Sequence, residues 1–128
     1  MRILDTDHCV AILRGRLDLQ GRISPDEQLA VTAITVGELT HGAWRSLRAS
    51  QNLAAVDTLL SAVLVLPFDD DSARRFGALK AALEHSGSVV ADLDLQIASI
   101  ALSHGAPLLT HNRQHFERIP DLQIEDWL

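Results

Sequence analysis

Three acids in this chain stand where carboxylates can act together. Asp5 closes the apolar segment Arg2-Ile3-Leu4, Glu38 follows the apolar stretch of residues 29–33, and Asp94 precedes the apolar-rich run of residues 95–102. Thr110 and Asn112 follow a further apolar segment, residues 106–109. Two carboxylates about 4 Å apart repel by around 4 kcal/mol at an effective dielectric near 20. Such a cluster holds protons or shares a cation. Mg2+ or Mn2+ suits hard oxygen donors, and the single cysteine, Cys9, offers no cysteine-based zinc cage. A carboxylate-held Mg2+ activates water and neutralises charge developing on a phosphate. The chemistry that such a trio points to is phosphodiester hydrolysis.

Each acid also has a structural role open to it. Thr35 and Glu38 are spaced as a capping box, T-V-G-E. Asp92 and Asp94 both fall in the first turn of a predicted helix, where the dipole favours any carboxylate. Asp69, Asp70 and Asp71 read as helix starters of that kind. Asp5 is placed to cap the helix that follows it, yet Asp7 is available for that, which leaves Asp5 for a site.

The elements that must position these groups follow from periodicity. Residues 2–5 predict a short strand, and HCVAILRG a helix with Gly15 as its stop. LDLQGRIS is either a short helix or an irregular connection, and residues 25–28 are a turn. Residues 29–33 predict a buried strand. TVGELTHGAWRSL and QNLAAVDTLLSAV predict two helices, and residues 63–67 a strand closed by Pro67. A long helix runs from the acids at 69–71 to Gly87, and another acid-started, glycine-ended helix covers residues 92–105. APLLT and LQIEDWL predict the last two strands. Strands alternating with helices predict one three-layer α/β/α domain over residues 1–128 with a mainly parallel sheet. In such sheets ligands bind beyond the carboxyl ends of the strands. Asp5, Glu38, Thr110 and Asn112 are placed at that edge, and Asp94 must reach it from a helix N-terminus.

The 128 residues, 47% of them hydrophobic, fit one domain with its own core. A net charge of −6 argues against a general basic surface for nucleic acid, though not against local contacts. Ten of the eleven basic residues are Arg; Arg14, Arg16, Arg45 and Arg113 are candidates for such contacts, with His111 beside them. His111 and His115 lack an H-E-x-x-H setting for zinc. No apolar run approaches the roughly 18 residues of a membrane span. Acids stand where a signal peptide keeps its apolar segment, so a cytoplasmic location is expected. Cys9 reads as a small core hydrophobe. Trp44 and Trp127 read as packing residues, and the helix carrying Leu39 and Trp44 as a candidate face for a dimer or another protein partner. No phosphate-binding glycine loop is present, so nucleotide cofactors are not indicated. With 4% aromatic residues and no tyrosine, a base-stacking platform is not expected.

Together these pieces resemble a known family. LDTD at residues 4–7 resembles the LDTN of VapC-type PIN-domain toxins, and ITVGELTHGA resembles their S/T-x-x-E-L-x-x-G segment. The stretch from Gly87 to Trp127 resembles their C-terminal half: an acid before an L-x-I-A-A-like helix, a glycine, then L-V-T-x-N-x-x-x-F. The resemblance runs from Arg2 to Trp127 and implies a single PIN-like domain. It implies a cluster of acids that binds Mg2+ or Mn2+, with Asp5, Glu38 and Asp94 matching the first, second and third acids. The register of D-L-Q-I-A-S selects Asp94 over Asp92, which is left as an outer ligand. Asn112 stands where many PIN domains carry a further acid, so the number of metal ions stays open. Asp7, where the family usually has Asn, adds charge. Thr6 and Thr110 fall where hydroxyls orient water or ligands.

In function, the resemblance implies a metal-dependent endoribonuclease acting as the toxin of a type II toxin–antitoxin pair, with tRNA among its candidate substrates. It also implies a cognate VapB-like antitoxin and a homodimer. The alternative is a catalytically weak PIN-like binding module that pairs with an antitoxin in a DNA-binding regulatory complex. An unrelated α/β phosphatase or hydrolase using the same acids is a third reading. The presence of Asp5, Glu38 and Asp94 together favours the enzyme.

Overall fold

The computed structural model describes all residues, Met1 to Leu128. Five strands form one sheet: β1 (Arg2–Leu4), β2 (Leu29–Thr32), β3 (Leu64–Leu66), β4 (Leu108–Leu109) and β5 (Ile124–Glu125). Their order is β3-β2-β1-β4-β5, and every pairing is parallel. Six helices connect them: α1 (Thr6–Leu13), α2 (Ala33–Arg45), α3 (Ala49–Ser61), α4 (Asp70–His85), α5 (Asp92–His104) and α6 (Arg113–Phe116).

Alternation along the strands creates two cores, because successive side chains point to opposite faces. Ile3, Ala30 and Leu108 face one side, where Leu83 of α4 and Leu95, Ala98 and Ala101 of α5 cover them. Leu4, Val31 and Leu109 face the other, against Cys9 of α1, Leu39 and Ala43 of α2 and Val56 of α3. The sheet is thus buried on both faces, as a parallel sheet requires. Three layers result, as the alternation of elements predicts.

The order of strands locates the site. From β1 the chain builds outward through β2 to β3, then returns to place β4 on the other side of β1. The connections therefore leave in opposite directions at the carboxyl ends of β1 and β4, where a crevice opens. Asp5 directly follows β1, and Thr110 directly follows β4.

Residues 16–28 form turns and irregular chain, so the irregular of the two readings open for LDLQGRIS is the one found. Several boundaries differ from expectation. Helix α2 begins at Ala33, two residues before the predicted start, because Thr32 caps it by accepting from Thr35 N–H at 3.2 Å. The single turn α6 has too few residues to leave a periodic signal. Trp127 does pack, with the Arg2 and Arg22 guanidinium groups 5.6 and 5.7 Å from its ring centre. Trp44 does not: it is 66% exposed at the outer end of α2.

Candidate active site

Asp5 is 4% exposed, and both of its carboxylate oxygens are engaged. Oδ1 accepts from the Thr6 N–H at 2.8 Å, and Oδ2 accepts from the Thr110 hydroxyl at 2.7 Å. Asp5 is thus the N-cap of α1, a role for which the sequence left both Asp5 and Asp7 as candidates. The two roles coincide because β1 runs straight into α1, so its last carboxylate lies at both the strand end and the helix start. Burial pushes the Asp5 carboxyl up to about 6. The Thr110 hydroxyl and Thr6 amide oppose that rise, and the negative charges of Asp7 and Glu38 add to it.

Glu38 reaches the same place from α2. Its Oε1 accepts from the Thr6 hydroxyl at 2.9 Å, so Thr6 bridges Asp5 and Glu38, with its amide on one and its hydroxyl on the other. The capping-box reading of Glu38 does not hold. Thr32 is the cap, which puts Glu38 in the second turn of α2, beyond the reach of a box.

Asp7 is a hub. Its Oδ1 accepts from the amide and the Nδ1 of His8 at 2.7 and 2.8 Å, and its Oδ2 from the His111 amide at 2.8 Å. Burial raises the Asp7 carboxyl, but the bonds from His8 and His111 outweigh it and hold it below the ordinary value. His8 is fully buried, and the amide of Trp127 donates to its Nε2 at 3.1 Å. That fixes the ring proton on Nδ1. The sequence reading did not single out His8, which lies in an apolar helical run. A histidine directly after Asp7, at the head of an apolar run, was the one available signal.

Asp94 and Asp92 part company on α5. Asp92 is exposed and pairs with Lys80 of α4 at 2.9 Å, away from the crevice. The Asp94 side chain is 23% exposed, and its Oδ2 lies 3.1 Å from His115 Nδ1. Asn112 is exposed just past β4, its amide donating to Thr110 Oγ1 at 3.1 Å. The structure therefore joins Asp5, Asp7, Glu38, Thr6 and Thr110 through hydrogen bonds, and links Asp94 to them only by way of the His111–His115 segment.

A match to the PIN-domain family model covers residues 2–122. The chain belongs to the PIN-domain family. The tRNA(fMet)-specific endonuclease VapC of Salmonella typhimurium is 35% identical over 127 residues, covering 98% of this chain and 96% of that one. DNA-bound VapBC from Salmonella typhimurium contains a chain matching with a TM-score of 0.91 at 34% identity, covering 100% of both. VapBC2 from Rickettsia felis, bound to a DNA fragment from its promoter, matches with a TM-score of 0.91 at 30% identity, covering 99% of this chain and 98% of that one.

As a VapC-type PIN domain the chain is expected to use a metal, and its donor chemistry suits a hard divalent cation. The candidates are carboxylates and hydroxyls, with no thiolate at hand, since Cys9 is buried and burial pushes its thiol up to about 12. No cationic side chain bonds Asp5 or Glu38, so their charge lacks a counter-charge. No three acids or histidines stand at ligating spacing. No helix is long and apolar enough to cross a membrane.

Proposed function

We propose that this VapC-type chain is an endoribonuclease toxin whose Asp5, Glu38 and Asp94 hold a divalent cation, Mg2+ or Mn2+. The observation that carries the reading is the Asp5 carboxylate. It is buried at the sheet's switch point, raised to about 6, and tied to Glu38 through Thr6. Buried carboxylates raised in this way cluster at functional sites. A divalent cation bound there supplies the Lewis acidity that phosphodiester hydrolysis requires.

The chain's own residues set the rest. Thr110 and Thr6 orient the two oxygens of Asp5 by opposite bonds, so the carboxylate cannot rotate away. Thr6 holds Glu38 on the same side. His115 fixes one oxygen of Asp94 and leaves Oδ1 for a ligand. Asp7 anchors the segment after β4 through the His111 amide and thereby keeps Thr110 in place.

The substrate is a structured RNA, with tRNA the first to try, as the Salmonella relative is named for tRNA(fMet). The chain pairs with a VapB-type antitoxin, the pairing for which the matching VapBC complexes are named, and we propose that it also forms a homodimer. The test is cleavage of a tRNA transcript by the purified chain. Cleavage in Mg2+ or Mn2+ that stops in EDTA supports the reading. Cleavage undiminished in EDTA, or no cleavage of any RNA, overturns it. Growth arrest on expression, relieved by the gene product encoded next to it, checks the toxin role.

A further inference from the structure

Where β4 runs out, the chain encloses a cup of about 500 Å3 with no apolar residue in its lining. His111, Asn112, Arg113, Gln114 and His115 contribute to it, with Asp126 beside His111. The cup borders the acidic crevice. The His111 amide donates to Asp7, and the preceding residue, Thr110, donates to Asp5. His115 bonds Asp94. A phosphodiester held at the acids therefore has its neighbouring nucleotide over this cup.

The polar atoms offered to that nucleotide can be read off. His111 Nδ1 lies 2.9 Å from Asp126 Oδ2. The Leu128 amide, with His111 assisting, holds the Asp126 carboxyl below its ordinary value, so it is an acceptor only. The proton of a neutral His111 ring is then on Nδ1, and Nε2 is an acceptor with no partner. Arg113 is half-exposed, and its one carboxylate neighbour, Glu117, is 3.7 Å away at the end of the same short helix. So loose a surface pair contributes little and leaves the guanidinium free for an anion. A hydroxyl acceptor beside an anion fork suits a ribose and its phosphate.

We propose that the cup binds the ribose–phosphate of a nucleotide flanking the scissile bond, His111 Nε2 accepting from the 2′-hydroxyl and Arg113 donating to the phosphate. This rests on the ribonuclease reading above. Such a subsite distinguishes RNA from DNA and fixes the register of the strand without reading the base.

The test uses the full chain and a tRNA transcript whose cleaved bond has been mapped. The same RNA is also prepared with a single 2′-deoxy substitution at each nucleotide flanking that bond. One of these substitutions raises KM for the wild type by about tenfold, the size of one lost hydrogen bond. For His111→Ala the KM for unmodified RNA rises similarly, and that deoxy substitution adds nothing more. For Arg113→Ala the loss falls on KM rather than kcat, and the salt dependence of log KM flattens by about one in slope. Both side chains are exposed, so equal melting temperatures for the variants and the wild type are expected. Cleavage by the wild type, with wild-type KM in both variants and independent deoxy effects, overturns the cup and leaves the ribonuclease standing. Failure of the wild type to cleave any RNA overturns both.

Discussion

The hydroxyl of Thr110 donates to Asp5 Oδ2 at 2.7 Å, joining the ends of two neighbouring strands across 105 residues of sequence. Among the groups that oppose the cost of burying Asp5, this hydroxyl ranks first. Thr110→Val removes it and leaves the Asn112 amide without its acceptor. The Asp5 carboxyl then rises further. At a fixed subsaturating Mg2+ concentration the acid limb of the pH–rate profile moves to higher pH. Activity at pH 7 falls by about 10- to 100-fold, as is usual for partners of metal ligands. Thr110→Ser restores the profile. A Thr110→Val profile that overlays the wild type contradicts the role.

Asp5 also makes a prediction about stability. Its folded value, about 6, lies above the ordinary 3.8, so between those pH values the folded chain holds a proton that the unfolded chain has lost. The contribution is full below about pH 4 and disappears as pH rises through about 6. Above that the buried charge costs on the order of 3 kcal/mol. Asp5→Asn keeps the acceptor for Thr6 N–H and removes the charge. In EDTA at pH 7.5 its melting temperature exceeds that of the wild type by several degrees, and near pH 4 the two converge. Mg2+ raises the wild-type melting temperature and leaves the variant unchanged. A variant less stable than the wild type at pH 7.5 in EDTA contradicts the assignment of the shift to burial.

The cap and the site separate on α2. Thr32→Ala removes the N-cap bond to Thr35 and costs about 1 kcal/mol, with little effect on the rate of the folded enzyme. Glu38→Gln still accepts from the Thr6 hydroxyl, so stability stays within about 0.5 kcal/mol. RNA cleavage falls by more than about 100-fold, beyond what an outer partner costs. Thermal melting paired with initial rates reads both. A destabilised Glu38→Gln with normal specific activity would return Glu38 to a structural role.

Asp92→Asn and Asp94→Asn make a matched pair, two residues apart on one helix. The first loses an exposed pair with Lys80, which contributes little to stability, and keeps full cleavage. The second loses cleavage while retaining its melting temperature within a degree or two. Equal activity in both variants removes Asp94 from the site.

The alternation of Ile3 with Leu4, Ala30 with Val31 and Leu108 with Leu109 builds both cores, and it is visible in the sequence as short unbroken apolar runs. That is why the layers and the parallel sheet were legible. The strand order was not, because nothing local records that β4 returns to the side of β1 away from β2. That Asp5 itself caps α1 was hidden for a related reason. Spacing shows two acids near a helix start, but only the strand–helix junction decides which of them caps. The capping box at Thr35 misled because Thr32 offers the same chemistry three residues earlier, at the end of β2. His8 stayed hidden, since its partners Trp127 and Asp7 meet only in the folded chain.

The shared cation is tested most directly by titrating the purified chain with Mn2+, calorimetrically or by electron paramagnetic resonance, in parallel with Asp5→Asn, Glu38→Gln, Asp94→Asn and Asp92→Asn. The expected result is saturable binding by the wild type and by Asp92→Asn, with binding lost or at least about tenfold weaker in the other three. Unchanged Mn2+ affinity in Asp5→Asn or Asp94→Asn would contradict a cation shared by Asp5, Glu38 and Asp94.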